Sequence, residues 1–147
     1  LMRIAELPNI AGVKEASGDI NQMMEVIEKI AMKKKDFCVL SGDDGLTLPL
    51  AAAGGDGVIS VVSNLVPDLI TKLAVSAVEG DLKTAREIHY RLQPFFKAAF
   101  VDGNPTSIKF AMNQKGIPAG TLRLPLVDIA ESAKPVVVAA MKQCGLL

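Results

Sequence analysis

Three short apolar runs, residues 10–16, 37–40 and 58–62, each lead through a few turn-forming residues into a segment of helical spacing. After the first run, Asp19 can cap a helix with Gln22 three positions on and Ile20, Met23, Met24, Ile27 and Ile30 on one face. After the second, residues 41–45 (Ser-Gly-Asp-Asp-Gly) form a turn that can start a short helix over 46–53, stopped by Gly54 and Gly55. After the third, rich in β-branched residues, Pro67 stands near the start of a helix carrying Leu69, Ile70, Leu73, Ala74 and Ala77, with Gly80 at its end. Strand–helix alternation with short loops predicts an α/β fold built from parallel βα units, whose sheet needs cover on both faces.

Beyond Gly80 the strand signals stop. Residues 81–100, 105–115 and 129–143 all have helical spacing, although Pro94 is expected to kink or break the first, and Asn104-Pro105-Thr106 reads as a helix start. The expected organisation is therefore a βα portion over residues 1–80 and a helical domain over 81–147. The chain has 147 residues, half of them hydrophobic, enough for one domain or for a piece of a larger one. It begins in what reads as the end of a helix, which leads us to expect further sequence before Leu1.

Sixteen basic and sixteen acidic residues cancel, so no global field draws the chain to nucleic acid or an anionic membrane. The one basic run, residues 33–35, follows a helix as a solvated C-terminal tail. No apolar run reaches membrane-spanning length, and Cys38 and Cys144, widely separated and outside any CxxC pair, fit a reduced, cytoplasmic protein. A lone histidine, His89, excludes a multi-histidine metal site, and its place beside Tyr90 and Arg91 suggests a structural role on a surface helix. Residues 54–57 (Gly-Gly-Asp-Gly) precede a strand rather than follow one, the wrong order for a phosphate loop, and read as a helix-to-strand connection.

In parallel α/β structures ligands are met at the carboxyl ends of strands. Lys14, the 41–44 turn and the Ile59-Ser60-Val61 segment all fall at such ends. A lysine there either snorkels to water or, where partly buried, loses hydration and becomes an amine able to attack a carbonyl and form a Schiff base. Gly42 can bring backbone donors close to a small carboxylate or keto group, and Asp43 and Asp44 read as helix caps or as ligand-binding groups.

Residues 12–18 (Gly-Val-Lys-Glu-Ala-Ser-Gly), 40–44 (Leu-Ser-Gly-Asp-Asp), 57–61 (Gly-Val-Ile-Ser-Val), 104–105 (Asn-Pro) and 122–125 (Leu-Arg-Leu-Pro) occur in the order and near the spacing of one family. Together they resemble the dihydrodipicolinate synthase (4-hydroxy-tetrahydrodipicolinate synthase) family; the Lys14 segment alone resembles the wider group of pyruvate-dependent class I aldolases and lyases. The resemblance implies a (β/α)8 TIM barrel followed by a C-terminal helical domain, of which this chain is the C-terminal half: the last three βα units and that domain. It implies that Lys14 forms an imine with pyruvate, that the resulting enamine attacks the aldehyde of aspartate semialdehyde, and that the reaction serves lysine and diaminopimelate biosynthesis. Ile59 matches the position whose backbone carbonyl borders pyruvate, and Gly42, Asp43 and Asp44 match the turn near the second substrate. Neither cofactor nor metal is implied.

The family's proton-shuttling tyrosine and threonines, an arginine for the second substrate and a glycine-rich pyruvate loop come from earlier strands, and Tyr90 does not match the catalytic tyrosine. The chain alone is therefore expected to be inactive and to associate with the missing half or with copies of itself, the family's common assembly being a homotetramer. The alternatives are a related aldolase acting on N-acetylneuraminate or keto-deoxy sugar acids, and a non-catalytic structural module.

Overall fold

A computed structural model describes residues 1–34 and 36–147. Strands β1 (Gly12–Glu15), β2 (Cys38–Ser41) and β3 (Gly57–Val58) form a parallel sheet in the order β1-β2-β3, with Lys14 beside Leu40 and Leu40 beside Gly57. A four-residue helix, α1 (Met2–Ala5), precedes β1. The connections between strands run through α2 (Ile20–Val26), continued by a π-helical turn (Ile27–Ala31), and through a 3-10 turn (Asp44–Leu46) followed by α3 (Thr47–Ala52). The expected α/β order is present.

Asp19 caps α2 by accepting from the Asn21 N–H at 2.9 Å, but Gln22 does not complete a capping box: its amide reaches back to Glu15 at 2.8 Å. The sheet is covered on one face only. Val39 packs with Met23, Ile27, Ile30, Phe37 and Leu50 on the helical side, whereas Gly12, Lys14 and Cys38 stand exposed on the other. A parallel sheet with one bare face is incomplete as a free-standing layer and is the geometry of a barrel wall seen from its lumen.

The expected third strand over 58–62 is cut to Gly57–Val58. One further ladder bond, Ile59 N–H to Ser41 O at 2.8 Å, follows; the backbone then turns away into a 3-10 turn (Val62–Asn64), because a carboxylate from the preceding connection takes up its amides. The 54–57 glycine segment is the helix-to-strand connection its order predicts, and Asp56 accepts the Val39 N–H at 2.7 Å there.

α4 (Pro67–Val78), α5 (Leu82–Ala98), α6 (Thr106–Gln114) and α7 (Lys134–Gln143) complete the chain. One apolar cluster unites them, running from Val62 and Leu65 through Leu73, Leu92 and Phe95 to Val137 and Met141. Pro94 does not break α5; the missing N–H belongs to the turn that carries exposed Tyr90, where a freed carbonyl can be hydrated. The expected helix over 129–143 begins only at Lys134, since Ile129 is pulled into the core while the Ala130 N–H is held by the Asp102 carboxylate at 2.7 Å.

Two surface expectations are also corrected. His89 is 6% exposed, its ring 5.2 Å from Tyr90 and 5.7 Å from Phe96, because it lies on the inward stripe of α5 with Ala85 and Leu92. Lys34 is not a solvated tail residue: its ammonium donates to the carbonyls of Ala5 at 2.7 Å and Ile10 at 3.0 Å, tying α1 to the approach to β1. Lys35, the last of that basic run, lies outside the described residues.

Candidate active site

Alternation along β1 sends Lys14 and Glu15 to opposite faces. Lys14 is exposed on the bare face, so the burial expected of a strand-end lysine is not supplied by this chain's own residues. Its aliphatic stem is nonetheless placed. A Cβ added to Gly42 would lie 2.9 Å from Lys14 Cε, 2.5 Å from Ala16 Cβ and 3.1 Å from Glu15 O, so the stem crosses the backbone of the neighbouring strand end where only glycine leaves room.

Gly42 therefore has a different use from the one expected. Its N–H is occupied by Glu15 O at 2.6 Å, which joins the ends of β1 and β2 instead of facing a ligand. On the covered side, Glu15 is 7% exposed and its carboxylate accepts from Ser17 N–H at 3.1 Å, Ser17 Oγ at 2.9 Å and Gln22 Nε2 at 2.8 Å. Those bonds fold the 16–19 loop back under Lys14 and hold the strand end rigid.

The two aspartates of the next turn separate. Asp43 caps the 3-10 turn, its Oδ1 accepting from Gly45 N–H at 2.7 Å, and it borders an open groove. Asp44, expected near the second substrate, is turned inward and only 1% exposed. Its Oδ1 accepts from the Ser60 hydroxyl, and its Oδ2 from the amides of Val61 at 3.0 Å and Val62 at 3.2 Å. Burial pushes its pKa above the ordinary carboxylate value, an effect opposed by the donors from Ser60, Val62 and Val61 and reinforced by neighbouring Asp43.

Ile59 is 46% exposed at the end of β3, immediately before this clamp. The ladder thus aligns the Lys14–Leu40–Gly57 row and the Glu15–Ser41–Val58 row, and Gly42 and Ile59 follow one residue past the second. Lys14, Gly42 and Ile59 are brought together at one end of the sheet; Asp43 stands at its rim and Asp44 beneath it. The roles of Glu15 and Ser60 were legible only in part: alternation puts a charged residue at 15 on the buried face, but nothing local pairs Ser60 with a carboxylate sixteen positions earlier.

A groove of about 690 Å³ opens beside this end, walled by Ser17, Gly42, Asp43, Leu46 and, from α5, Phe96 and Lys97. Gly42 borders both the groove and the lysine stem. Among the described residues no cluster of three or more His, Cys, Asp or Glu could hold a metal, and no helix is long and apolar enough to cross a membrane. Cys38 is exposed, Cys144 is buried, and both are free thiols.

Three parallel strands joined through helices, with a lysine at the carboxyl end of the first, define an α/β chain. A profile of the Dihydrodipicolinate synthetase family matches residues 1–144, and the chain belongs to that family. It is 52% identical over 132 residues to the 4-hydroxy-tetrahydrodipicolinate synthase of Protochlamydia amoebophila, covering 90% of this chain and 44% of that one. The crystal structure of dihydrodipicolinate synthase from Thermotoga maritima superposes with a TM-score of 0.92 at 42% identity, covering 99% of this chain and 50% of that one. The chloride-inhibited dihydrodipicolinate synthase of Acinetobacter baumannii, described as complexed with pyruvate, superposes with a TM-score of 0.91 at 30% identity, covering 99% and 49%. The chain spans about half the length of the relatives it matches.

Proposed function

We propose that this chain is the lysine-bearing half of a Schiff-base lyase that condenses pyruvate with aspartate semialdehyde, a step of lysine and diaminopimelate biosynthesis in the cytoplasm. The observation that carries the reading is the position of Lys14: the carboxyl end of β1, on the uncovered face, its stem laid across Gly42. The Lys14 amine adds to the keto carbon of pyruvate and, with loss of water, forms an imine. That imine withdraws electrons from the adjacent methyl group, which gives up a proton to leave an enamine; its carbon then attacks the aldehyde, which restores the imine, and cyclisation through the amino group of the aspartate semialdehyde displaces the Lys14 amine and releases the product. Ile59 stands where its carbonyl can border the keto acid, and Asp43 at the rim where the aldehyde arrives.

The reading takes the three βα units as the last of an eightfold barrel, since the chain passes after α4 into helices alone. It assigns the bare sheet face to the lumen and the outer edges of β1 and β3 to pairing with the remaining strands, on a second polypeptide or earlier in a longer one, within a homo-oligomer. Half a lumen leaves Lys14 without enclosing walls, so the chain alone binds the amine's substrate but does not turn over. A coupled assay of pyruvate and aspartate semialdehyde on the chain alone, and on the chain joined to the complementary half of a relative, tests both statements. Turnover only in the joined protein is expected. Turnover by the isolated chain overturns its inactivity, and cleavage of N-acetylneuraminate or a keto-deoxy sugar acid in place of condensation overturns the choice of acceptor.

A further inference from the structure

We infer that Asp44 is a positioning residue: its buried carboxylate fixes the end of β3 against the turn after β2 and so sets the far wall of the space into which Lys14 reaches. The inference rests on the Lys14 reading for its consequence, while the clamp itself stands on geometry. Asp44 follows Gly42 by two residues, and Gly42 is the surface on which the Lys14 stem lies. Ser60, Val61 and Val62, the three donors, directly follow Ile59, whose N–H is the last rung between β3 and β2.

A single carboxylate thus spans two strand ends. Without it, Ile59 is tethered to β2 by one ladder bond, and the half-buried Val61 and buried Val62 lose the acceptor of their amides. An ionised carboxylate satisfies all three donors at once. A carboxamide offers one acceptor oxygen, and its NH2 would oppose donors. Ser60 Oγ extends the device by accepting from Ser63 N–H at 2.8 Å, so the clamp also starts the turn that leads to α4.

The 147-residue chain is compared with its Asp44→Asn, Asp44→Ala and Ser60→Ala variants by two measurements. Amide hydrogen exchange reads the clamp without any substrate: exchange at Val61 and Val62 is expected to quicken by about tenfold in Asp44→Asn, with less change in Ser60→Ala, which removes the Ser60 donor and the acceptor of Ser63 N–H but leaves both amides their carboxylate. Unchanged exchange at both amides in the folded variants overturns the clamp. Borohydride trapping of pyruvate on Lys14, followed against pyruvate concentration, reads the consequence. In Asp44→Asn the half-saturating concentration is expected to rise about tenfold while the limiting rate stays within about threefold. A limiting yield that falls only in step with the folded fraction, at unchanged half-saturation, overturns the positioning role and leaves Asp44 structural. Failure of the unaltered chain to trap pyruvate on Lys14 at any concentration defeats the Lys14 reading instead, and the exchange of Val61 and Val62 still decides the clamp.

Discussion

Lys14 lies across Gly42, with so little clearance that a methyl group there would approach Lys14 Cε to 2.9 Å and Ala16 Cβ to 2.5 Å. The Gly42→Ala variant must either displace the lysine stem or separate the ends of β1 and β2, which are joined by the Gly42 N–H to Glu15 O bond. Its expected cost is about 1–3 kcal/mol, the range for forcing an extra carbon into a filled site. Urea denaturation measures that loss, and Lys14 should trap pyruvate more slowly in the part of the variant that remains folded.

Glu15 holds the loop beneath the lysine through bonds from Ser17 and Gln22. The Glu15→Ala variant leaves the amide and hydroxyl of Ser17 and the carboxamide of Gln22 without their acceptor, three groups that lie at the surface around a buried carboxylate. A destabilisation of about 1 kcal/mol is expected, since the freed donors can turn to water, and Gln22→Ala, which removes one donor and leaves the rest intact, should cost less than half as much. Paired denaturation curves check the order; a Gln22 variant as damaging as the Glu15 variant contradicts it.

Burial raises the Asp44 pKa above 3.8, so the folded chain holds that proton more tightly than the unfolded chain. The contribution of this group to stability is complete below 3.8 and is lost as pH rises through the raised folded value. In Asp44→Asn that part of the pH dependence should vanish: between about pH 4 and pH 7 the urea midpoint of the variant should fall less on raising pH than that of the unaltered chain.

His89 has the opposite sign. Desolvation lowers its pKa from 6.5, and its Nδ1 has no hydrogen-bond partner in the structure. Its contribution is present above 6.5 and lost as pH falls toward the folded value, because the unfolded chain takes up the proton first. His89→Phe, which keeps an aromatic ring against Tyr90 and Phe96, should gain on the unaltered chain as pH falls from about 7.5 to 5. A constant gap between the two curves across that range contradicts the assignment.

The strands and helices are legible in the sequence wherever a local run, spacing or turn signal decides them. Short apolar runs bounded by turn residues give β1 and β2 to within a residue or two, and the Pro67 and Gly80 signals bracket α4 closely. The end of β3 is not legible, because Val58, Ile59, Val61 and Val62 all favour a strand and only the Asp44 carboxylate, distant in sequence, redirects the chain. Pro94 misleads for a related reason: its missing N–H falls on the turn of exposed Tyr90, and packing of Leu92, Phe95 and Phe96 holds the helix through it. At the site, the strand-end rule places Lys14, Gly42 and Ile59 at one end of the sheet but does not reveal that Gly42 N–H is spent on Glu15 O, and Asp44 resembles a surface cap until its depth is known. His89 misleads because neighbouring Tyr90 and Arg91 are exposed, and one step around a helix separates solvent from core.

The most direct measurement is peptide mapping of the chain after incubation with pyruvate and borohydride, alongside Lys14→Arg, which keeps the charge but offers no primary amine. A single reduced adduct on Lys14, absent from the arginine variant, is the predicted result. Modification spread over the exposed lysines in both proteins, with no excess at position 14, contradicts it.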